Sequence, residues 1–142
     1  MTKQNLKEIM VRAHEIARSL EGDYAACLSY GLRQAWFEAR LIAAGGARWQ
    51  KNGMDRIYIN DLARWFGLEV DYYKSGNICS AKLDGERISN NQAGKILSRL
   101  AMARVYYDCL TGRFEGKSIT AEDLECIVEA ITGAAQGARV AV

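Results

Sequence analysis

The hydrophobic period of this chain changes at Gly45-Gly46, and that change limits the folds open to it. Before the two glycines, apolar residues recur every three or four positions. After them, short segments nearly alternate. The first pattern buries one stripe of a helix and the second buries one face of a strand. The chain must therefore be helical first and sheet-forming next. At 142 residues without repeat, linker or low-complexity tract, it reads as one domain over 1–142.

The first helix is expected over Asn5–Leu20, capped by Asn5 with Glu8 three residues on. Leu6, Ile9, Ala13, Ile16 and Leu20 make its apolar stripe. Glu21-Gly22-Asp23 ends it and caps a second helix over Tyr24–Ala44, with Leu28, Leu32, Ala35, Ala39 and Ile42 as the seam. The turn between them is short, so 1–44 reads as an antiparallel helical hairpin. The seam of the second helix is equally open to a second copy of the chain, so a homodimer is one expected assembly.

Asn52-Gly53 is the strongest turn signal, since both positions of a two-residue hairpin loop need positive φ. Strands Ala47–Lys51 and Met54–Ile59 flank it. The register then sets Lys51 opposite Met54, Gln50 opposite Asp55 and Trp49 opposite Arg56. One face carries Trp49, Lys51, Arg56 and Tyr58, and the other carries Ile57 and Ile59 as core. A short helix, Asn60–Phe66, is capped by Asn60 and stopped by Gly67. Extended segments follow at Glu69–Tyr73, Ile78–Leu83 and Glu86–Ser89, joined through Ser75-Gly76-Asn77 and Asp84-Gly85. The region 45–89 thus holds an antiparallel sheet of about five strands with a short inserted helix.

Ser89 to Gln92 form a capping box that opens a long helix to Leu110, with Ala93, Ile96, Leu100, Ala103, Tyr107 and Leu110 as its stripe. Gly112 ends it. A last helix starts at Thr120, with Asp123 completing the box and Ile119 and Leu124 as a staple. It runs to Ile131. Residues 90–133 are then two C-terminal helices, and 134–142 a frayed tail. The fold class is α+β, an antiparallel sheet covered by helices. A helical bundle with an inserted sheet is the other arrangement.

The sequence offers few means of catalysis. His14 is the single histidine, and Arg18 stands where a second zinc-binding histidine would be. His14 reads as a packing or hydrogen-bonding residue. Cys27, Cys79, Cys109 and Cys126 form no CxxC, so no metal is expected, and two or three of them read as core. Asp55, Asp61 and Asp84 read as turn or cap residues. No phosphate-binding glycine loop occurs. The expectation is a non-enzymatic protein without cofactors.

Binding signals are better. Trp49 and Tyr58 could stack on bases while Lys51 and Arg56 neutralise phosphates. The same residues suit a protein-binding hot spot. They also suit a plain structural role, with Trp49 under a helix and Arg56 over its ring. A second group starts from a repulsion, since Lys82 falls opposite Arg87. An anionic partner, water screening or another register would each account for it. Tyr72, Tyr73 and Lys74 adjoin that pair, and Lys95 and Arg99 lie one helical turn apart nearby. The acidic last helix, with Glu122, Asp123, Glu125 and Glu129, is an opposing candidate surface.

The net charge of +2 excludes a strongly acidic mimic of duplex DNA. Its distribution is uneven. Residues 1–60 carry nine basic and six acidic side chains, and residues 101–142 carry four and six. The start of the chain is polar and no apolar run reaches membrane-spanning length, so no membrane partner and a cytoplasmic location are expected.

Ala13-His14-Glu15-Ile16-Ala17-Arg18, Gly22-Asp23-Tyr24, and Ser29 through Ala35-Trp36 carry a resemblance. The stretch Ile9–Arg40 resembles a helical motif of small orphan proteins from phages and integrative elements, and of parts of polyvalent mobile-element proteins. Some small proteins of that kind are anti-CRISPR or anti-restriction factors. The resemblance therefore implies a host-defence inhibitor in the bacterial cytoplasm, most concretely an anti-CRISPR protein that binds a CRISPR effector or its guide RNA stoichiometrically. A nucleic-acid-binding accessory protein of a mobile element is the other implied reading.

Overall fold

The computed structural model describes residues 3–137, and they form an α+β fold of five helices and two antiparallel sheets. Helices α1 (Lys3–Arg18) and α2 (Tyr24–Ala43) make the N-terminal helical hairpin. α1 begins at Lys3, so Asn5 lies inside it and does not cap it. It stops at Arg18, which leaves Leu20 outside and exposed. Asp23 caps α2 as expected, its carboxylate accepting from the Ala26 N–H at 3.1 Å.

The expected seam of α2 packs on α1 except at Ile42, and a second line of the helix is buried beside it. The buried residues of α2 are Cys27, Gly31, Ala35, Glu38 and Leu41, while Ile42 is exposed. The helix has two neighbours, and this sets its phase. Leu28, Leu32, Trp36 and Ala39 pack with Ile9 and Ala13 of α1, while Phe37 and Leu41 enter the main core. Gly31 lets α1 and α2 approach closely, because a Cβ there would sit 2.4 Å from the Ala13 carbonyl oxygen. Gly31→Ala is therefore expected to destabilise by about 1–3 kcal/mol, although alanine is the better helix former. Chemical denaturation checks this, and a variant as stable as the wild type would show that the helices can separate freely.

β1 (Ala47–Lys51) and β2 (Met54–Ile59) pair in the expected register around Asn52-Gly53, both residues having positive φ. Ile57 and Ile59 are buried. α3 (Leu62–Phe66) follows Asp61, not Asn60, at its N-cap position; Asp61 is left-handed and makes no side-chain capping bond, and Gly67 ends the helix at φ 96°. β3 (Leu68–Tyr72), β4 (Ile78–Leu83) and β5 (Glu86–Ile88) follow, with Lys82 opposite Arg87 as read.

The largest correction lies after Ser89. The capping box forms, but α4 spans only Asn90–Ala101. The expected continuation to Leu110 is instead β6 (Arg104–Asp108), paired through a turn at Gly112 with β7 (Arg113–Lys117). Leu110 is exposed in that turn. α5 (Ala121–Gly137) starts where expected, with Thr120 Oγ1 accepting from the Asp123 N–H at 3.2 Å. It continues past Ile131, so residues 134–137 are helical; residues 138–142 of the expected tail lie outside the described ones.

The extra hairpin also changes the sheet count. The strands form a four-stranded sheet in the order β1-β2-β6-β7 and a three-stranded sheet β3-β4-β5, not one sheet of five. The sheet region is therefore not confined to 45–89. Phe37 and Leu41 of α2 and Ile127 and Ile131 of α5 share one core with Ile57, Val105, Tyr107 and Phe114 of the first sheet. Each fully buried aliphatic side chain there contributes about 1.5–3 kcal/mol of transfer free energy. Among the described residues, no helix is long and apolar enough to cross a membrane.

Candidate functional site

Strand parity sorts the residues of the four-stranded sheet onto two faces. Ile57, Ile59, Val105, Tyr107 and Phe114 point toward the helices. The opposite face is built in rows by the register. Tyr58, Tyr106 and Glu115 stand side by side, as do Trp49, Arg56, Asp108 and Arg113. Lys51 lies at one end, and Arg104 with Lys117 at the other. The face thus holds three aromatic residues and five cations against two carboxylates.

These side chains touch one another. Trp49 meets Tyr58 edge-on with centroids 6.2 Å apart, and Tyr58 lies 5.5 Å from Tyr106. The Arg56 guanidinium lies 4.2 Å over the Tyr106 ring and donates to the Tyr58 hydroxyl at 3.1 Å. That hydrogen bond is the main reason its pKa lies above the ordinary arginine value. Arg56 therefore covers Tyr106, not Trp49. The Tyr106 hydroxyl donates to Glu115 Oε2 at 2.8 Å, which raises its pKa. Tyr106 is only 3% exposed although it lies on the outer face, so its neighbours shield it. Trp49, Arg56 and Tyr58 are half-buried; Lys51, Arg104, Arg113 and Lys117 are exposed.

The structure does not bring all the expected binding residues together. Trp49, Lys51, Arg56 and Tyr58 share the face just described. Tyr72, Lys82 and Arg87 belong to the other sheet, and Lys74 lies in the turn after Tyr72. Glu69 of β3 flanks Lys82 on the side away from Arg87, so a carboxylate stands in the same row and offsets part of the repulsion without closing an ion pair. Lys95 and Arg99 line a groove with Phe66, Leu83 and Ile88. Alternation puts Lys82 and Arg87 on the other face of that sheet, so these pairs do not form one surface. Arg99 is engaged with Asp123: Nε lies 2.8 Å from Oδ2, too bent for a hydrogen bond, and the outer nitrogen donates to Oδ1 at 3.4 Å. This contact removes Asp123 from the acidic face of the last helix.

Sequence reasoning missed Tyr106, Arg104, Arg113 and Lys117, because it read β6 as helix and left β7 unassigned. The signal was present in Val105-Tyr106-Tyr107 and in the alternation of Arg113 to Lys117. It also missed a buried charge cluster. Asp55 is no turn residue; it sits in β2, receiving Arg48 Nε at 3.0 Å and its outer nitrogen at 2.7 Å. Glu38 of α2, 2% exposed, receives Arg12 at 3.0 Å and Arg48 at 3.4 Å. Arg12 also donates to the Cys109 carbonyl at 3.3 Å, which ties α1 to the end of the sheet.

The electrostatics of this cluster follow from its geometry. Burial alone would raise the Asp55 pKa. Hydrogen bonding and charge from Arg48, with Gln50 and Arg12, outweigh burial and hold it below the usual carboxylate value. Its folded pKa is thus below its unfolded one. The stabilisation is full above about pH 4 and is lost as pH falls through the folded value. The melting temperature of the wild type should fall more steeply below about pH 4 than that of Asp55→Asn. Parallel slopes in thermal melts would remove the assignment.

The cysteines are all free; Cys27 is buried, Cys109 half-buried, and Cys79 and Cys126 exposed. Burial first, then the Glu38 and Asp55 charges, push the Cys109 thiol well above its ordinary pKa, so it is protonated at neutral pH. His14 Nδ1 lies 2.6 Å from the Tyr24 hydroxyl, and the two rings stack, as its packing role implied. Among the described residues, no three of His, Cys, Asp or Glu converge where a metal could bind. No family model, curated protein or solved structure matches the chain.

Proposed function

We propose that the chain is a stoichiometric binding protein, not an enzyme, and that the outer face of its four-stranded sheet binds single-stranded RNA. The observation that carries this reading is the concentration of charge and rings. Lys51, Arg56, Arg104, Arg113 and Lys117 share one face with Trp49 and Tyr58, while the whole chain has a net charge of only +2. Flat rings on adjacent strands suit stacking on unpaired bases. Cations around them suit the phosphates that join those bases. Arg56 and Glu115 hold the rings in place before any ligand arrives, which lowers the ordering cost of binding.

In the host-defence reading, supported by the resemblance of Ile9–Arg40, the bound strand is the guide RNA of a CRISPR effector. One equivalent of the chain added to a guide-loaded effector should then block target cleavage, without turnover. A loss of cleavage that needed many equivalents, or none at all, would contradict it. The accessory-protein reading uses the same face and requires affinity for RNA or DNA strands alone at low salt.

A further inference from the structure

We propose that β1 is a self-pairing edge, and that two copies of the chain associate through antiparallel β1–β1 pairing about a two-fold axis at Trp49. In a two-residue hairpin the residues next to the turn exchange hydrogen bonds, and bonded pairs then alternate. Lys51–Met54, Trp49–Arg56 and Ala47–Tyr58 are thus the bonded pairs. Arg48 and Gln50 turn their backbone N–H and C=O groups outward. Among the described residues, no backbone group from another element meets them. Beside them lies an open cleft of about 730 Å³ between α1 and β1, lined by Val11, Arg12, Arg48 and Gln50. α1 therefore does not close over Arg48 and Gln50.

Full antiparallel overlap about Trp49 sets Arg48 opposite Gln50 of the second copy, and Gln50 opposite its Arg48. Both residues carry outward groups, so the overlap places four backbone hydrogen bonds in register. Ala47 faces Lys51, and Trp49 faces Trp49 at the closer, non-bonded spacing. No like charges meet. The other three edges behave differently in full overlap. β7 would set Glu115 against Glu115 and Arg113 against Lys117. β3 would set Glu69 against Asp71, and β5 would set Arg87 against Arg87. Like charges on three edges oppose self-pairing there, and β1 lacks that protection. The product is a continuous eight-stranded sheet from two four-stranded ones. It would place the two outer faces side by side. This inference does not depend on RNA binding.

Sedimentation equilibrium of the full chain in RNA-free buffer tests it. A five-residue edge makes a small interface, so the wild type should dimerise weakly, at micromolar or higher concentration. Gln50→Pro removes an outward N–H that β2 does not use, so it should give a folded monomer. Gln50→Arg faces Asp55 within its own chain, so it keeps the fold while setting two pairs of arginines against each other in the dimer. It should weaken association roughly tenfold. A wild type that stays monomeric to near-millimolar concentration would overturn the proposal. So would a dimer that persists unchanged in folded Gln50→Pro and Gln50→Arg, because association would then use another surface.

Discussion

Glu38→Gln is expected to cost about 3 kcal/mol of stability and to lower the melting temperature by roughly 6–12 °C. Glu38 is the buried carboxylate that Arg12 and Arg48 share. Its neutral isostere leaves the two guanidinium groups sharing Asp55, with Arg12 also reaching the exposed Glu15 at 3.5 Å. Removing one partner of a buried pair strands the other charge away from water, and that penalty dominates. The value sits at the lower end of the usual range because Arg12 and Arg48 each keep an edge in the open cleft beside α1. Arg12→Leu combined with Glu38→Leu should be less damaging than Glu38→Leu alone, since Arg48 and Asp55 still form a complete pair. Additive losses in the double variant would show that the cluster is not a coupled unit. The helical hairpin is the part at risk, because α1 has its own small apolar cluster with α2 and reaches the sheet through Arg12.

The second large effect concerns the sheet face. Trp49→Ala should weaken binding of an unstructured RNA strand by about 1–3 kcal/mol, the worth of one base–aromatic stack, which is roughly five- to 150-fold. Arg56→Glu should weaken it as well, and should reduce the salt dependence by about one phosphate contact. Lys82→Glu and Arg87→Glu belong to the other sheet and should leave affinity nearly unchanged. Equal losses from both groups would mean that the two sheets act as one surface, or that binding is unspecific attraction to positive charge. Folded stability should be compared for Arg56→Glu, since that residue also holds Tyr58 and Tyr106.

How far the chain could be read in advance depended on whether local chemistry decided the outcome. Asn52-Gly53 and Asp84-Gly85 set their hairpins and registers without help from the rest of the fold, because positive φ and loop length fix both. Ser89, Thr120 and Asp23 marked helix starts through their own side chains. β6 was not legible in this way. It is the central strand between β2 and β7, and Val105, Tyr106 and Tyr107 are all buried. Tyr106 is shielded by its neighbours on the outer face, so three successive buried residues erase the alternation, and the spacing of Ile96, Leu100, Ala103 and Tyr107 imitates a helix. Half of the candidate face was hidden with it. The charge cluster was hidden for another reason: Arg12, Glu38, Arg48 and Asp55 come from two helices and two strands, and only the assembled fold brings them together.

On this proposal the outer face of the four-stranded sheet holds a nucleic-acid strand. Titration of a labelled, unstructured RNA with the wild type and with Trp49→Ala, at several salt concentrations, tests it most directly. Binding at low salt should weaken steadily as salt rises, by about 0.7 in log affinity per log salt for each phosphate contacted, and Trp49→Ala should give a weaker complex. Absence of binding at low salt, or equal affinity for the wild type and Trp49→Ala, would contradict it.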